Sequence, residues 1–487
     1  MKRSILACAL LAAACQAPAP STATPDSTTS RVLAGLRPAI VVKGATPVTF
    51  TLAERMAKYK VPGVSIAVVN GGQLAWARAV GVKEVGTQDS VTPATLFQAA
   101  SISKPVAATG LLRLVDDGTI DLDRPVNEYL KSWTLPDNKF TAIEKVTLRR
   151  LASHSAGTTV HGFPGYAEGA PLPTVPQILD GTKPANTVAV RVDTTPGAIW
   201  RYSGGGITIE QLAMSDATGE AFPALMKRLV LEPMGMQQST YEQPLPAERR
   251  AEAAAGHRQD GTMVKGRWHT YPEMAAAGLW TNPTDLMRWA MGVTSARAGT
   301  TTNVLSQRMA TEMLTVQKEP SGLGPMLGKT GRAFRFEHGG ANEGFRAQVI
   351  YFPETGQGAA IMTNSDAGSA LASELLFAIG AEYQWPEYGP REIEPLPMDS
   401  TLVAELVGDY PIPKEVTGTP AAVIKTIRLE GGKLMTEVPG FIPKSEFLLL
   451  SDDRLIAPDA SYEVKIARDK AGKVSGIDIG PAVLRRK

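Results

Sequence analysis

The sequence predicts an α+β fold, one antiparallel sheet flanked by helices, with a small all-β domain behind it. Three observations point there. Strand-like runs stand at both ends of a helix-rich middle: Val64 to Val69 and Gln73 to Val80, then Phe345 to Phe352 and Ala359 to Thr363. The two ends are therefore expected to share one sheet. Turn residues join each pair, Asn70-Gly71-Gly72 in the first and Pro353 to Gly356 in the second. Beyond Pro397 the pattern changes to short strands at regular spacing, the mark of a small barrel or sandwich.

The amino terminus reads differently from the rest. Lys2 and Arg3 precede an apolar run, Ile5 to Ala14, and then comes Cys15. Such a segment is too short to span a bilayer and has the layout of an export signal. Ala12, Ala13 and Ala14 before Cys15 resemble a bacterial lipoprotein signal, in which the cysteine is lipidated after cleavage. Leu11 sits one place further from the cysteine than that pattern prefers, and ordinary cleavage nearby is the alternative. Residues 16–45 are expected to be a flexible tether, because Gln16 to Ser30 is rich in Ala, Pro, Ser and Thr. The expected location is the periplasm or cell surface, with any membrane contact made only through a lipid on Cys15.

The remaining elements follow in order. Thr51 and Glu54 have capping-box spacing and open a short helix. Ser101 to Asp117 is helical, with Leu111, Leu112, Leu114 and Val115 apolar and Gly118 as the stop. His161 to Thr187 is dense in Pro and Gly and reads as a long surface loop, a kind of loop that is often functional. Helices are expected near Ile207 to Ala217, Phe222 to Leu231 and Asn282 to Met291. Residues 46–384 then form the main domain, 385–397 a proline- and charge-rich linker, and 398–487 the small all-β domain.

Bulk properties exclude several function classes. The 487 residues suit two domains plus appendages. Apolar residues make up 43% and charged residues 20%, and the net charge is +2. No basic block stands out, so the footprint of nucleic-acid binding is missing. The two cysteines, Cys8 and Cys15, both lie in the signal region. The body therefore has no disulfide and no thiol nucleophile. No histidine pair has zinc-site spacing with a carboxylate partner, so no metal or other cofactor is expected.

Three motifs carry chemistry. Ser101-Ile102-Ser103-Lys104 places a serine at a helix start, where free N–H groups favour developing negative charge, and a lysine one turn deeper. Burial there would let the amine accept the serine proton. The bland alternative is a capping serine and a surface lysine, and such a pair arises by chance about once or twice in a chain this long. Tyr202, in Trp200-Arg201-Tyr202-Ser203-Gly204, sits at a glycine-rich bend where its hydroxyl can shuttle protons; a buried ring with a satisfied hydroxyl is the commoner case. His338-Gly339-Gly340-Ala341 precedes the second strand pair, and its glycines permit close approach of a substrate. A lone histidine is more often structural.

Taken in order, these landmarks are more specific than any one of them. With the Leu151 to Gly157 stretch containing His154, and Gly278 to Leu286, the chain resembles the serine β-lactamase and penicillin-binding superfamily from about Pro47 to Gln384. It is nearest the class C-like branch of esterases, D-amino-acid peptidases and β-lactamases. The resemblance implies a β-lactamase/transpeptidase-like fold and an acyl-enzyme on Ser101. Lys104 would be the proton acceptor, Tyr202 the general base and acid, and the N–H groups of Ser101 and Ala341 the oxyanion hole. Gly339 and Gly340 would bind substrate.

Two departures matter. The family's Tyr-x-Asn ends here in Gly204, and its Lys-Thr-Gly strand has His338 in the lysine place. A literal Lys329-Thr330-Gly331 exists, but the strand pair follows His338 at the family's spacing, so Lys329 is expected in the preceding turn. A histidine is mostly neutral at pH 7, which argues against a substrate read through a terminal carboxylate. Branch members with this histidine resemble D-amino-acid-specific peptidases, some with a lipocalin-like C-terminal barrel, here expected to cover the site mouth. The sequence thus predicts a serine hydrolase of ester, amide or peptide bonds, its partner a small-molecule or peptide substrate. A class C-like β-lactamase is one alternative, and a non-catalytic penicillin-binding-like sensor is another.

Overall fold

The computed structural model describes residues 27–46, 48–301, 303–413, 423–439, 442–458, 462–480 and 482–487. The signal expected over 1–15, with Cys15, and the tether up to residue 26 lie outside the described residues.

The frame is a six-stranded antiparallel sheet. Its strands are β2 (Gly63–Asn70), β3 (Gln73–Gly81), β4 (Met326–Gly328), β5 (Arg335–Asn342), β6 (Phe345–Phe352) and β7 (Gln357–Thr363), in spatial order β3-β2-β7-β6-β5-β4. The amino-terminal hairpin thus joins the carboxy-terminal strands through the β2–β7 pair, as predicted, with Ala67 opposite Ala360. Strand β2 is apolar almost throughout because both faces are covered. Val64, Ile66 and Val68 enter one buried cluster, while Ala67 and Val69 enter the other. Helix α5 (Pro283–Arg297) packs on the second face, beside α3 (Ser103–Asp116) and α4 (Gly204–Thr218) in the helical layer. The first face is closed by α2 (Leu52–Tyr59) and α6 (Gly368–Glu382). A buried ion pair between Arg55 and Glu374 ties these two helices, and Tyr59 donates its hydroxyl hydrogen to Glu374 at 2.7 Å.

Two stretches read as loose are ordered. The tether expected over 16–45 contains helix α1 (Ser27–Ala34) and strand β1 (Ile40–Val42). Val32 and Leu36 are buried against the α6 side, and Arg31 pairs with Glu382 at 2.5 Å. Within the expected linker 385–397, Trp385 is buried and β8 (Arg391–Ile393) pairs in parallel with β1. Composition missed both, because the β1–β8 pair joins residues about 350 positions apart and leaves no local signal.

The carboxy-terminal strands form an antiparallel meander in two sheets, with strands Gly408–Ile412 to Ile442–Glu446 in one and Leu448–Ser451 to Val483–Leu484 in the other. The meander closes on itself, since the Lys487 N–H donates to the Asp409 carbonyl at 2.9 Å. Its core includes Tyr410, Ile427, Phe447, Val464 and Ile477. The β1–β8 pair moors it to the main domain: Ile40, Ile393 and Ile456 form one small cluster, and the Leu396 N–H donates to the Leu449 carbonyl at 2.8 Å.

Inside the meander Lys425 is fully buried. Its Nζ donates to Thr436 Oγ1 at 2.8 Å and lies 4.8 Å from the Phe447 ring centre and 4.5 Å from that of Tyr462. Burial pushes the amine down to about 7 and the Tyr462 phenol up to about 12. The folded chain then binds this proton less tightly than the unfolded chain, whose lysine titrates near 10.5. Stability from this group is present above pH 10.5 and is lost as pH falls toward 7. Lys425→Met should raise the unfolding free energy most below that range, by roughly 4 kcal/mol at pH 6 and far less at pH 11. Denaturant titrations at the two pH values check this, and an equal gain at both contradicts it.

Candidate active site

Ser101 lies in the 3-10 turn Ala100–Ile102, between the short strand Phe97–Gln98 and α3. The preceding Ala100 has φ of 50°, a left-handed conformation that costs a non-glycine residue energy and is held by its surroundings. Those surroundings are specific. Ser103 Oγ donates to the Ala100 carbonyl at 2.5 Å and accepts the Leu279 N–H at 2.9 Å. The Ala99 N–H donates to the Leu279 carbonyl at 2.8 Å, and the buried Tyr241 hydroxyl donates to the Ser103 carbonyl at 2.7 Å. The bend turns Ser101 into a cleft of about 570 Å³, while Ser103 and Lys104 go inward.

Lys104 is buried, and its Nζ makes two hydrogen bonds, to Ser101 Oγ at 2.9 Å and to the Ala276 carbonyl at 2.7 Å. Ala276 belongs to the short helix Met274–Ala277, which sequence reading did not single out. Among the described residues Lys104 has no carboxylate partner. Two carboxyls in the framing elements, Glu210 of α4 and Glu273 just before Met274, are pushed up by burial to about 8 and about 7. Neither supplies a full negative charge at neutral pH.

Tyr202 comes from the segment just before α4, where Ser203 is the cap: its Oγ accepts the Gly206 N–H at 2.9 Å. The Tyr202 ring centre lies 5.0 Å from Lys104 Nζ. Three of the chain's five histidines surround this ring, with centre-to-centre distances of 4.3 Å for His154, 4.9 Å for His161 and 6.1 Å for His338. His154, itself at φ 57°, holds the tyrosine segment twice, since its carbonyl accepts the Arg201 N–H at 2.8 Å and its Nδ1 accepts the Ser203 N–H at 3.3 Å. Its proton therefore sits on Nε2. His338 is the reverse. Its Nδ1 donates to the Gly339 carbonyl at 2.6 Å, which leaves a lone pair on Nε2. Burial and then the charge of Lys104 push both imidazoles down, His338 to about 4 and His154 well below its ordinary range. Both are neutral at pH 7.

The fourth wall is β5. Strand β4 pairs only with Arg335–Glu337, so beyond Glu337 that edge of β5 is free of a strand and packs on the Ser101 turn instead. A Cβ on Gly340 would fall 2.2 Å from the Ala99 carbonyl oxygen, and only glycine allows this approach. Asn342 locks the edge, donating to Gln98 Oε1 at 2.8 Å and to the Ala277 carbonyl at 3.1 Å. Ser101, Lys104, Tyr202, His338, Gly339, Gly340 and Ala341 thus all line one cleft. Lys329 lies in the turn between β4 and β5, as expected, and pairs with Glu387 at 3.3 Å on the surface. Among the described residues no part of 398–487 lines the cleft. Nor does any described group of three or more His, Cys, Asp or Glu residues form a metal-binding cluster.

The beta-lactamase family model matches residues 50–381. The chain belongs to the beta-lactamase family. Its relatives in the family include the D-aminopeptidase of Gluconobacter oxydans, 24% identical over 354 residues, which are 69% of this chain and 62% of the relative. Penicillin-binding protein 4 of Amycolatopsis lactamdurans is 26% identical over 373 residues, 72% of this chain and 94% of the relative. Esterase EstB of Burkholderia gladioli is 27% identical over 188 residues, 37% of this chain and 46% of the relative. The chain thus spans less than two thirds of the length of the aminopeptidase and the esterase. The octameric penicillin-binding protein homologue from Pyrococcus abyssi shares the fold, with a TM-score of 0.58 at 19% identity, covering 86% of this chain and 95% of that one.

Gly340→Ala tests the approach of β5 to the Ser101 turn. The variant should react with a fluorophosphonate roughly a hundredfold more slowly, since a displacement near 1 Å has that effect on reactive geometry. Its circular dichroism should be unchanged. Labelling at the wild-type rate contradicts the geometry described.

Proposed function

We propose that the protein hydrolyses ester, amide or peptide bonds through an acyl-enzyme on Ser101, with substrates of the D-aminopeptidase and esterase kind. The observation that carries this is the 2.9 Å contact of Lys104 Nζ with Ser101 Oγ inside the cleft. In the first step Lys104, in its neutral form, takes the Ser101 proton as Oγ attacks the substrate carbonyl carbon. The negative charge passes to the carbonyl oxygen, and the N–H groups of Ser101 and Ala341 receive it; such donors contribute several kcal/mol to the transition state. Tyr202 passes the proton to the leaving group, whose bond to the carbonyl breaks. Water then repeats the sequence on the acyl-enzyme and frees Ser101.

Charge narrows the substrate. Apart from Lys104, which the chemistry occupies, no lysine, arginine or carboxylate among the described residues lines the cleft. His338, pushed down to about 4, adds no charge at neutral pH. A substrate held by a terminal carboxylate lacks a counter-ion here, and this favours neutral esters, amides and peptides over β-lactams. Phe163, Trp200 and Met326 add apolar surface.

Turnover of a p-nitrophenyl ester and a D-alanine p-nitroanilide, set beside a chromogenic cephalosporin, checks the reading. The first two should be hydrolysed, and the cephalosporin poorly. Lys104→Ala should lower kcat by at least about a thousandfold, and Tyr202→Phe by about a hundredfold, with the fold intact. Near-full turnover by either variant overturns the proton path, and preferred turnover of the cephalosporin supports a β-lactamase instead.

A further inference from the structure

Lys104 rests on a carbonyl of the short helix Met274–Ala277, so the placing of its amine depends on the placing of that helix. A single turn does not hold itself, because nucleation costs more than one turn of bonds returns. Inside it the Ala276 and Ala277 N–H groups donate to the Glu273 carbonyl, at 3.0 and 2.9 Å. The backbone groups it cannot pair internally are met from outside. Three successive carbonyls at its end are taken: Ala276 by Lys104 Nζ at 2.7 Å, Ala277 by Asn342 Nδ2 at 3.1 Å and Gly278 by Gln243 Nε2 at 2.8 Å.

The start of the turn is held by Gln211, a buried residue of α4. Its Nε2 donates to the Pro272 carbonyl at 3.1 Å, and its Oε1 accepts the Ala275 N–H at 2.9 Å. One planar amide thus grips the chain on both sides of the helix start, and the next residue along, Ala276, carries the carbonyl that receives Lys104. Two buried acids flank this grip in sequence, Glu210 and Glu273. Their side-chain oxygens have no hydrogen-bond partner among the described residues, so neither shares in it.

We propose that Gln211 is a positioning residue for proton transfer between Ser101 and Lys104: it sets the Ala276 carbonyl, and through that carbonyl the amine. The proposal rests on the hydrolase reading above. Tyr202 stands just before the first turn of the same helix, so α4 places both groups that move protons.

Gln211→Met keeps the length of the side chain and removes both hydrogen bonds. It should slow fluorophosphonate labelling of Ser101 about tenfold or more. In a Lys104→Ala background the same substitution should change the residual rate by less than about twofold, because its effect passes through the amine. Equal losses in both backgrounds mark a merely structural role and overturn the proposal, as does labelling by Gln211→Met at the wild-type rate. Should Gln211→Met not fold, Gln211→Asn, one methylene too short to reach both partners, is measured in both backgrounds by the same criteria. The crystal structure of the variant separates this proposal from the proton path. At least one contact of Lys104 Nζ, with the Ala276 carbonyl or with Ser101 Oγ, should lengthen beyond about 3.5 Å. Both contacts unchanged overturns the role of Gln211 whatever the rates. If Lys104→Ala labels as fast as the wild type, the proton path fails, and the structure of the variant alone decides whether Gln211 places the amine.

Discussion

A lysine amine held between one hydroxyl and one carbonyl, away from water and from any carboxylate, is the constraint on which this site turns. A buried lysine usually finds an acid, because an unpaired buried charge is costly. Lys104 finds Ser101 Oγ and the Ala276 carbonyl instead. The two imidazoles nearest it, His154 and His338, are pushed down by burial and by its own charge, so they add no second positive charge at neutral pH.

Much of the fold serves to hold that arrangement. The short β4 leaves the far half of β5 free to pack on the Ser101 turn, and Gly340 removes the one side chain that would keep the two apart. Ser103, Leu279 and Tyr241 hold the strained bend at Ala100, so Ser101 is aimed by its neighbours and not by its own propensity. His154 fixes the tyrosine segment from behind through both backbone and ring. The barrel contributes nothing to the described lining of the cleft, and is moored to the β1–β8 pair instead.

The Ser101–Lys104 pair was legible in the sequence because a spacing of three residues in a helix survives any fold, and because five landmarks in order lift the chain's single Ser-x-x-Lys above coincidence. Two hairpins of the sheet, Gly63–Gly81 and Phe345–Thr363, were legible for a similar reason, as each is local. What escaped depends on contacts distant in the chain. Residues 27–45 and 385–397 owe their order to each other and to α6, contacts that no local pattern announces. Ala276 offers only a backbone carbonyl, which carries no sequence signal at all. His161 stood at the head of a Pro- and Gly-rich loop and drew no notice. The glycine run at 204 to 206 was the available clue, since three glycines at a helix start ask for something to lie against them.

Peptide mapping of the trapped acyl-enzyme tests the central claim most directly. The protein is mixed with a p-nitrophenyl ester, quenched in acid during turnover, digested and analysed by mass spectrometry. The acyl mass should appear on the peptide containing Ser101 and should vanish in Ser101→Ala. Steady turnover with the acyl group on another residue, or undiminished turnover in Ser101→Ala, would contradict the account.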